Sequence, residues 1–198
     1  MVKLSRRDQK ERTRARIIKA AMGRLAVAGL TKVSTADIAK SAQVSHGTIF
    51  VHFPTREALL TAVIEEFGAR VAGRLHELAQ NGSGLREILI AHLQGLIEFE
   101  PFYTRLVIEG RLLPDRARQT LVVIQSAISL HISQAAEAEM EEGLIRKTPI
   151  HLLFNTWMGL VHYYLANGDL FSPRGSVLLQ HGPALIDHYL NLISAPNR

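Results

Sequence analysis

An all-α fold is the expectation for this chain, and three observations lead to it. Strand patterning is nearly absent, with no clean period-two runs and no Asn-Gly or Asp-Gly hairpin signal. Helix starts and stops recur instead, as Ser, Thr or Asp before apolar-periodic segments and Gly or Pro after them. Apolar residues also return at helical spacing, as in Ile18, Ala21, Met22 and Leu25. The 198 residues are 47% apolar, enough to fill a core in one or two domains. Cysteine is absent, which excludes disulfides, thiolate catalysis and Cys-ligated zinc. The basic N-terminus lacks the apolar core of a signal peptide, and no apolar run approaches membrane-spanning length. A cytoplasmic protein without a membrane partner is expected.

Each element has its own punctuation. The first helix is expected from about Arg7 to Ala28, with Gly29 at a left-handed position past its end and Leu30 closing back on Leu25 in a Schellman motif. Ser34 with Asp37 three residues on forms a capping-box pattern that opens the second helix. Ser45 caps a third, short helix that Pro54 stops. Thr55 caps a fourth, which runs to about Gln80 before Asn81-Gly82-Ser83-Gly84 breaks it. A fifth spans roughly Leu85–Glu100 and ends before Pro101, and a short one around Phe102–Glu109 precedes Pro114. A long helix covers about Asp115–Glu142 up to Gly143. Thr148 as cap and Pro149 as first helical residue start the next, which ends near Asn167-Gly168. The last runs from about Pro173 to Ile193, with a kink or interruption expected at Gly182-Pro183. The chain shows no repeat and no low-complexity segment.

Charge is distributed unevenly. Residues 1–59 hold 12 Lys/Arg and 4 Asp/Glu, a net of +8, whereas residues 60–198 hold 11 and 14, a net of −3. The excess coincides with Ser34–Leu59, whose two short helices read as a helix-turn-helix. A polyanion binding there would release condensed counterions from each neutralised phosphate. Ile38, Ala39, Val44 and Ile49 are the apolar residues that pin the two helices together. Ser45, His46, Gly47, Thr48, Phe50 and His52 are then left to face outward. Free amide hydrogens at the third helix's N-terminus suit phosphate, Ser45 and Thr48 can donate to its oxygens, and His46 is best placed for a base edge. Arg6, Arg7, Lys10, Arg12 and Arg14 form a basic arm ahead of the motif. So few reading residues need two copies for useful specificity, which points to a homodimer on near-palindromic double-stranded DNA.

The segment resembles the DNA-binding domain of the TetR family of bacterial transcriptional regulators. The residues that carry the likeness are Thr35, Ile38, Ala39, Val44, Ser45, Gly47, Thr48, Ile49, His52, Phe53 and Glu57, followed by Leu59, and the close match covers roughly residues 8–65. Gln43 stands where the family usually has glycine, so the turn must tolerate a side chain at some cost in strain. Phe50 replaces a tyrosine and loses its hydroxyl, while Arg56 replaces lysine and should still serve as a phosphate contact. Ala36 offers no hydrogen bond where some relatives read a base. Thr35 and Arg56 thus join the expected DNA-binding set.

The resemblance implies a 1–54 DNA-binding head followed by a helical 55–198 domain that dimerises and binds a small effector. The segments at about 149–166 and 173–193 are apolar on more than one face, so one side can meet the domain and the other a partner subunit. An effector pocket would be mostly apolar with a few polar groups, and Phe67, His92, Phe99, Phe102, Tyr103, Gln125, His131, Asn155 and Tyr163 are the candidates to line it. The seven histidines after residue 60 show no His-x-x-His or His-x-x-x-His pair, so neither metal nor cofactor is expected. A repressor released from its operator by an unknown effector is the leading expectation. A helical enzyme, or an activator-type regulator with no effector, stays open, although no phosphate-cradling glycine motif or nucleophile elbow is present.

Overall fold

Local signals account for most helix starts. The structure, a computed structural model, describes residues 5–80 and 83–196, and the expected break at Asn81-Gly82 lies outside them. Ten α-helices form among the described residues: α1 (Arg6–Ala28), α2 (Thr35–Ala42), α3 (His46–His52), α4 (Arg56–Gln80), α5 (Leu85–Ile97), α6 (Glu100–Glu109), α7 (Asp115–Glu141), α8 (Ile150–Ala166), α9 (Gly168–Phe171) and α10 (Val177–Ile193). The Ser34–Asp37 capping box is complete in both directions, and Ser5–Asp8 forms a second one that opens α1. Ser45 accepts from Thr48 N–H, and Thr55 from Ala58 N–H, at 3.1 and 3.0 Å. Gln43 takes the left-handed conformation (φ 53°, ψ 48°) that its place in the turn demands.

The ends of other helices differ from expectation, because tertiary partners decide them. Gly29 has φ 90° but ψ 163°, so no Schellman motif forms. Its N–H bonds to Leu25 O at 2.9 Å, while Leu30 N–H turns to the Glu109 carboxylate at 2.8 Å. Pro101 does not end the fifth helix; α5 stops at Ile97 and Pro101 lies in the first turn of α6, where its missing N–H is harmless. Thr148 does not cap α8, since its hydroxyl donates to Arg146 O and Pro149 occupies the cap position. The last helix begins at Val177 after a Ser176 cap rather than at Pro173, and it passes through Pro183 without interruption. Gly182 is buried there, and a Cβ would come within 3.0 Å of Leu93 Cδ1.

Packing divides the chain into two compact units. The first reaches from the N-terminal residues to Phe67 and includes Pro101–Leu121; the second holds Gly68–Glu100 and the chain from Val122 onward. The first unit therefore takes in more than the 1–54 segment expected to bind DNA. In it α1 packs on α2 and α2 on α3, around Ile17, Ala21, Leu25, Ile38, Ala39, Ile49 and Phe53. The α1–α2 connection is held from three sides. Arg105 donates to Ala26 O and Val27 O at 3.3 and 3.2 Å, Glu109 accepts from Leu30 N–H, and Arg56 donates to Leu30 O and Val33 O. A side chain at Gly29 would collide with Glu109 Oε1 at 2.7 Å.

In the second unit α10 packs against α5 and α8, with Trp157 and Tyr189 wholly buried. The Trp157 indole N–H donates to His92 Nδ1 at 3.1 Å, and Tyr189 Oη donates to Leu153 O at 2.9 Å. Buried Glu100 takes the N–H groups of Val177 and Leu178 at 2.7 and 3.1 Å and the Ser176 hydroxyl at 2.5 Å, satisfying the start of α10. Glu139 does the same for Leu85 N–H at 2.7 Å, where Gly84 offers α5 no side-chain cap.

Burial pushes His92 down to about 3, with the nearby His162 adding to the shift. The unfolded chain accepts a proton near pH 6.5 that the folded protein refuses until about pH 3, so stability falls as pH drops through that window. This one group contributes a slope of up to about 1.4 kcal/mol per pH unit. His162, His52 and His131 are displaced in the same direction and add to it. Calorimetric unfolding between pH 7 and 4 should show a falling Tm, with a shallower fall in His92→Leu.

Candidate nucleic-acid interface

The expected reading surface begins with a helix too short to be stable alone. α3 has seven residues and is fixed by burial of Ile49 and of Phe53 at its C-cap, each worth about 1.5–3 kcal/mol of transfer free energy. With Ile49 pointing inward, Ser45, His46 and Gly47 at the leading edge are exposed, Thr48 is half-buried and Phe50 is 44% exposed. Ser45 Oγ and Thr48 Oγ1 lie 2.7 Å apart. One hydroxyl proton is spent between them, and the other remains for an outside acceptor.

His46 is held on two sides. Its Nε2 lies 2.9 Å from Thr35 Oγ1, and its ring meets Phe50 edge-on with centroids 5.1 Å apart. Thr35 opens α2 and His46 opens α3, so this bond ties the two helix starts together at the surface. Nδ1 is the ring nitrogen left for a base edge. Sequence reasoning selected both residues but not their bond, because eleven residues separate them and only the turn geometry brings them together.

Gly47 carries a different message. A Cβ there would meet only Ser45 Oγ, at 3.9 Å, and the residue needs no positive φ. The fold does not require glycine at this position, and the missing side chain leaves the backbone of the exposed edge open to close approach.

Two expected contacts sit otherwise. His52 does not face fully outward; it is half-buried, with Nδ1 enclosed and without a hydrogen-bond partner among the described residues. Burial first, then Lys10 and Arg14, holds it below the ordinary histidine range. The Arg56 guanidinium is turned onto the Leu30 and Val33 carbonyls, where it secures the α1–α2 connection. The arm residues Arg6, Arg7, Lys10 and Arg12 are exposed on α1, whereas Arg14 lies over the Phe53 ring at 5.3 Å. The Ser34 hydroxyl and N–H hold the Asp37 carboxyl below its usual range.

The expected effector residues fall into separate groups. Phe67, Phe102 and Tyr103 are buried in the first unit, where Phe67 stacks on Tyr103 at 5.3 Å and meets Phe102 edge-on at 5.8 Å. The remaining candidates belong to the second unit. There His92 is buried, and Phe99 and Gln125 are half-buried, with Arg70 5.5 Å over the Phe99 ring. His131 is half-buried beside His76, 5.6 Å between centroids. Asn155 and Tyr163 are exposed on the outer face of α8. Among the described residues no group of three or more His, Cys, Asp or Glu could hold a metal ion, and no helix is long and apolar enough to cross a membrane.

Two substitutions test the surface. Gly47→Ala should stabilise the protein by about 0.5–1 kcal/mol through helix propensity. The same change should weaken duplex binding by about tenfold, or ~1.4 kcal/mol. Thermal melts and fluorescence anisotropy read the two opposite effects. Thr35→Val keeps the shape but frees His46. Discrimination at one base pair of the selected sequence should then relax by about fivefold, within the ~1–3 kcal/mol that a good base contact supplies. Unchanged discrimination would remove His46 from the reading surface.

Comparison with known proteins bears on the N-terminal segment and on the fold. Residues 17–63 match the model of the bacterial regulatory proteins, tetR family. An HTH-type transcriptional repressor of Mycobacterium tuberculosis is 36% identical over 70 residues, 35% of this chain and 37% of the relative. The chain thus spans just over a third of the length of the first curated relatives it matches. A TetR-family regulator from Agrobacterium tumefaciens superimposes with a TM-score of 0.78 at 20% identity, over 94% of this chain and all of that one. The TetR-family regulator PfmR of Thermus thermophilus gives 0.76 at 17% identity, over 92% of this chain and 100% of its own. Residues 17–63 are thus similar to the tetR family of bacterial regulatory proteins, and the chain shares the all-α fold of the solved regulators it superimposes on.

Proposed function

We propose that this protein is a homodimeric, sequence-specific DNA-binding transcriptional regulator, a repressor that a small-molecule effector releases from its operator. The observation that carries the reading is the exposed edge Ser45–Gly47, stiffened by the Thr35–His46 bond and preceded by a basic arm. Double-stranded DNA is the partner with matching charge and groove dimensions. In functional terms residues 1–54 form the DNA-binding head, and 55–198 serve dimerisation and the effector.

Dimerisation through α8 and α10 is supported by what those helices leave uncovered. The outer face of α8 presents Leu152, Thr156, Gly159 and Tyr163, and the exposed side of α10 includes Ala184, His188 and Leu192. Leu152 is 51% exposed and Tyr163 59%, which is costly for a free monomer surface. Small residues at Gly159 and Ala184 allow two copies of each helix to approach closely in a two-fold four-helix interface. Two heads would then address half-sites about one helical turn apart, roughly 34–36 Å.

Selection of duplexes from a random pool should return a near-palindromic sequence, with affinity falling linearly against log salt concentration. A pool that stays random would end this reading. A Cβ at Gly159 meets nothing within 4 Å inside the monomer, so Gly159→Arg should leave the fold intact. Sedimentation should show that variant as a monomer, with operator affinity lowered by about a hundredfold or more.

A further inference from the structure

Among the described residues of the second unit, two histidine ring nitrogens are buried without a hydrogen-bond partner, His131 Nδ1 and His92 Nε2, and only His92 is a wholly buried residue. His92 is 0% exposed and sits on α5 among Ile88, Leu89, Leu93 and Leu96, all buried. Its Nδ1 receives the Trp157 indole N–H at 3.1 Å. An indole nitrogen can only donate, so Nδ1 must present a lone pair. A neutral imidazole in that state carries its proton on Nε2. Trp157 is itself held by the Tyr189 ring at 5.2 Å, and Tyr189 by its bond to Leu153 O, so the tautomer is set by a packed chain of three side chains. Nε2 is buried and has no hydrogen-bond partner among the described residues.

A buried donor without an acceptor is costly, so a molecule that brought an acceptor to it would recover that cost on binding. The chemistry of that partner can be narrowed. His92 is pushed down to about 3 and the half-buried His162 beside it is also lowered, so neither supplies positive charge at neutral pH. A carboxylate or phosphate would enter an apolar interior without a charge on either histidine to meet it. An uncharged oxygen acceptor satisfies the N–H without that penalty. His162, half-buried on α8, lies within electrostatic range of His92.

We propose that the Nε2–H of His92 is the polar anchor of a ligand site in the second unit, and that its ligand is a mostly apolar, uncharged molecule with one acceptor, such as an aliphatic ketone or ester. The proposal rests on the reading of the chain as an effector-released regulator and names the class of that effector. Trp157 reports directly on the site, because it bonds to His92 and is the chain's single tryptophan.

The test uses the full-length protein, its selected operator and three probes of similar length: 2-octanone, octane and octanoate. Binding is read by Trp157 emission and by calorimetry, and release by operator anisotropy. The ketone should bind at least about tenfold more tightly than either other probe and shift the Trp157 emission. His92→Leu, checked for folding by circular dichroism, should bring ketone and octane within about twofold of each other. If that variant does not fold, His92→Leu combined with Trp157→Phe removes donor and partner together, and calorimetry reads the same ratio. Equal binding of ketone and octane, tighter binding of octanoate, a ketone preference that survives loss of His92, or no binding at all overturns the anchor. Should octane release the operator as well as the ketone does, the anchor fails while effector control stands. Should the ketone show its full His92-dependent preference without releasing the operator, the site stands and effector control fails.

Discussion

A seven-residue helix cannot hold its own shape in water, and the proposed function of this protein rests on one. Nucleating a helical turn fixes several dihedrals for a single hydrogen bond, so α3 exists only because Ile49 and Phe53 are buried beneath it and Ser45 caps it. Those three residues also decide its orientation. Once Ile49 points inward, helical geometry turns Ser45, His46 and Gly47 outward. The exposed edge follows from the packing of its opposite face.

The same dependence extends to the support of the head. The α1–α2 connection receives hydrogen bonds from Arg56, Arg105 and Glu109, which makes a backbone corner into a fixed point. Gly29 admits that arrangement because no side chain intrudes on Glu109. An arginine expected on a phosphate therefore spends donors on carbonyls. Its place is in the frame that holds the α1–α2 connection.

Legibility varied with the range of the interaction. The caps at Ser34, Ser45 and Thr55 were readable because donor and acceptor lie three residues apart and the pattern alone implies the bond. Ser5–Asp8 repeats the spacing of Ser34–Asp37 and could have been read in the same way. The outward placing of Ser45, His46 and Gly47 followed from helical periodicity. His52 was harder, since its enclosure arises where α1 brings Lys10 and Arg14 against the end of α3. The expected effector residues were chosen by type alone, and type does not say which side chains share an interior. Only packing separates His92, inside the second unit, from Tyr163 on its surface.

By itself the chain determined its helices, the helix-turn-helix and the basic bias of its N-terminal part, because propensity, capping and charge act over a few residues. The folded structure decided how the helices end and which polar groups are satisfied. Glu100 meets the start of α10 from 77 residues away, Glu109 meets Leu30 from 79, and Trp157 sets the tautomer of His92 from 65. Such bonds join segments that have no local reason to meet. They form only after apolar burial has brought the helices together, and the desolvated groups then have to find partners wherever the packing leaves them.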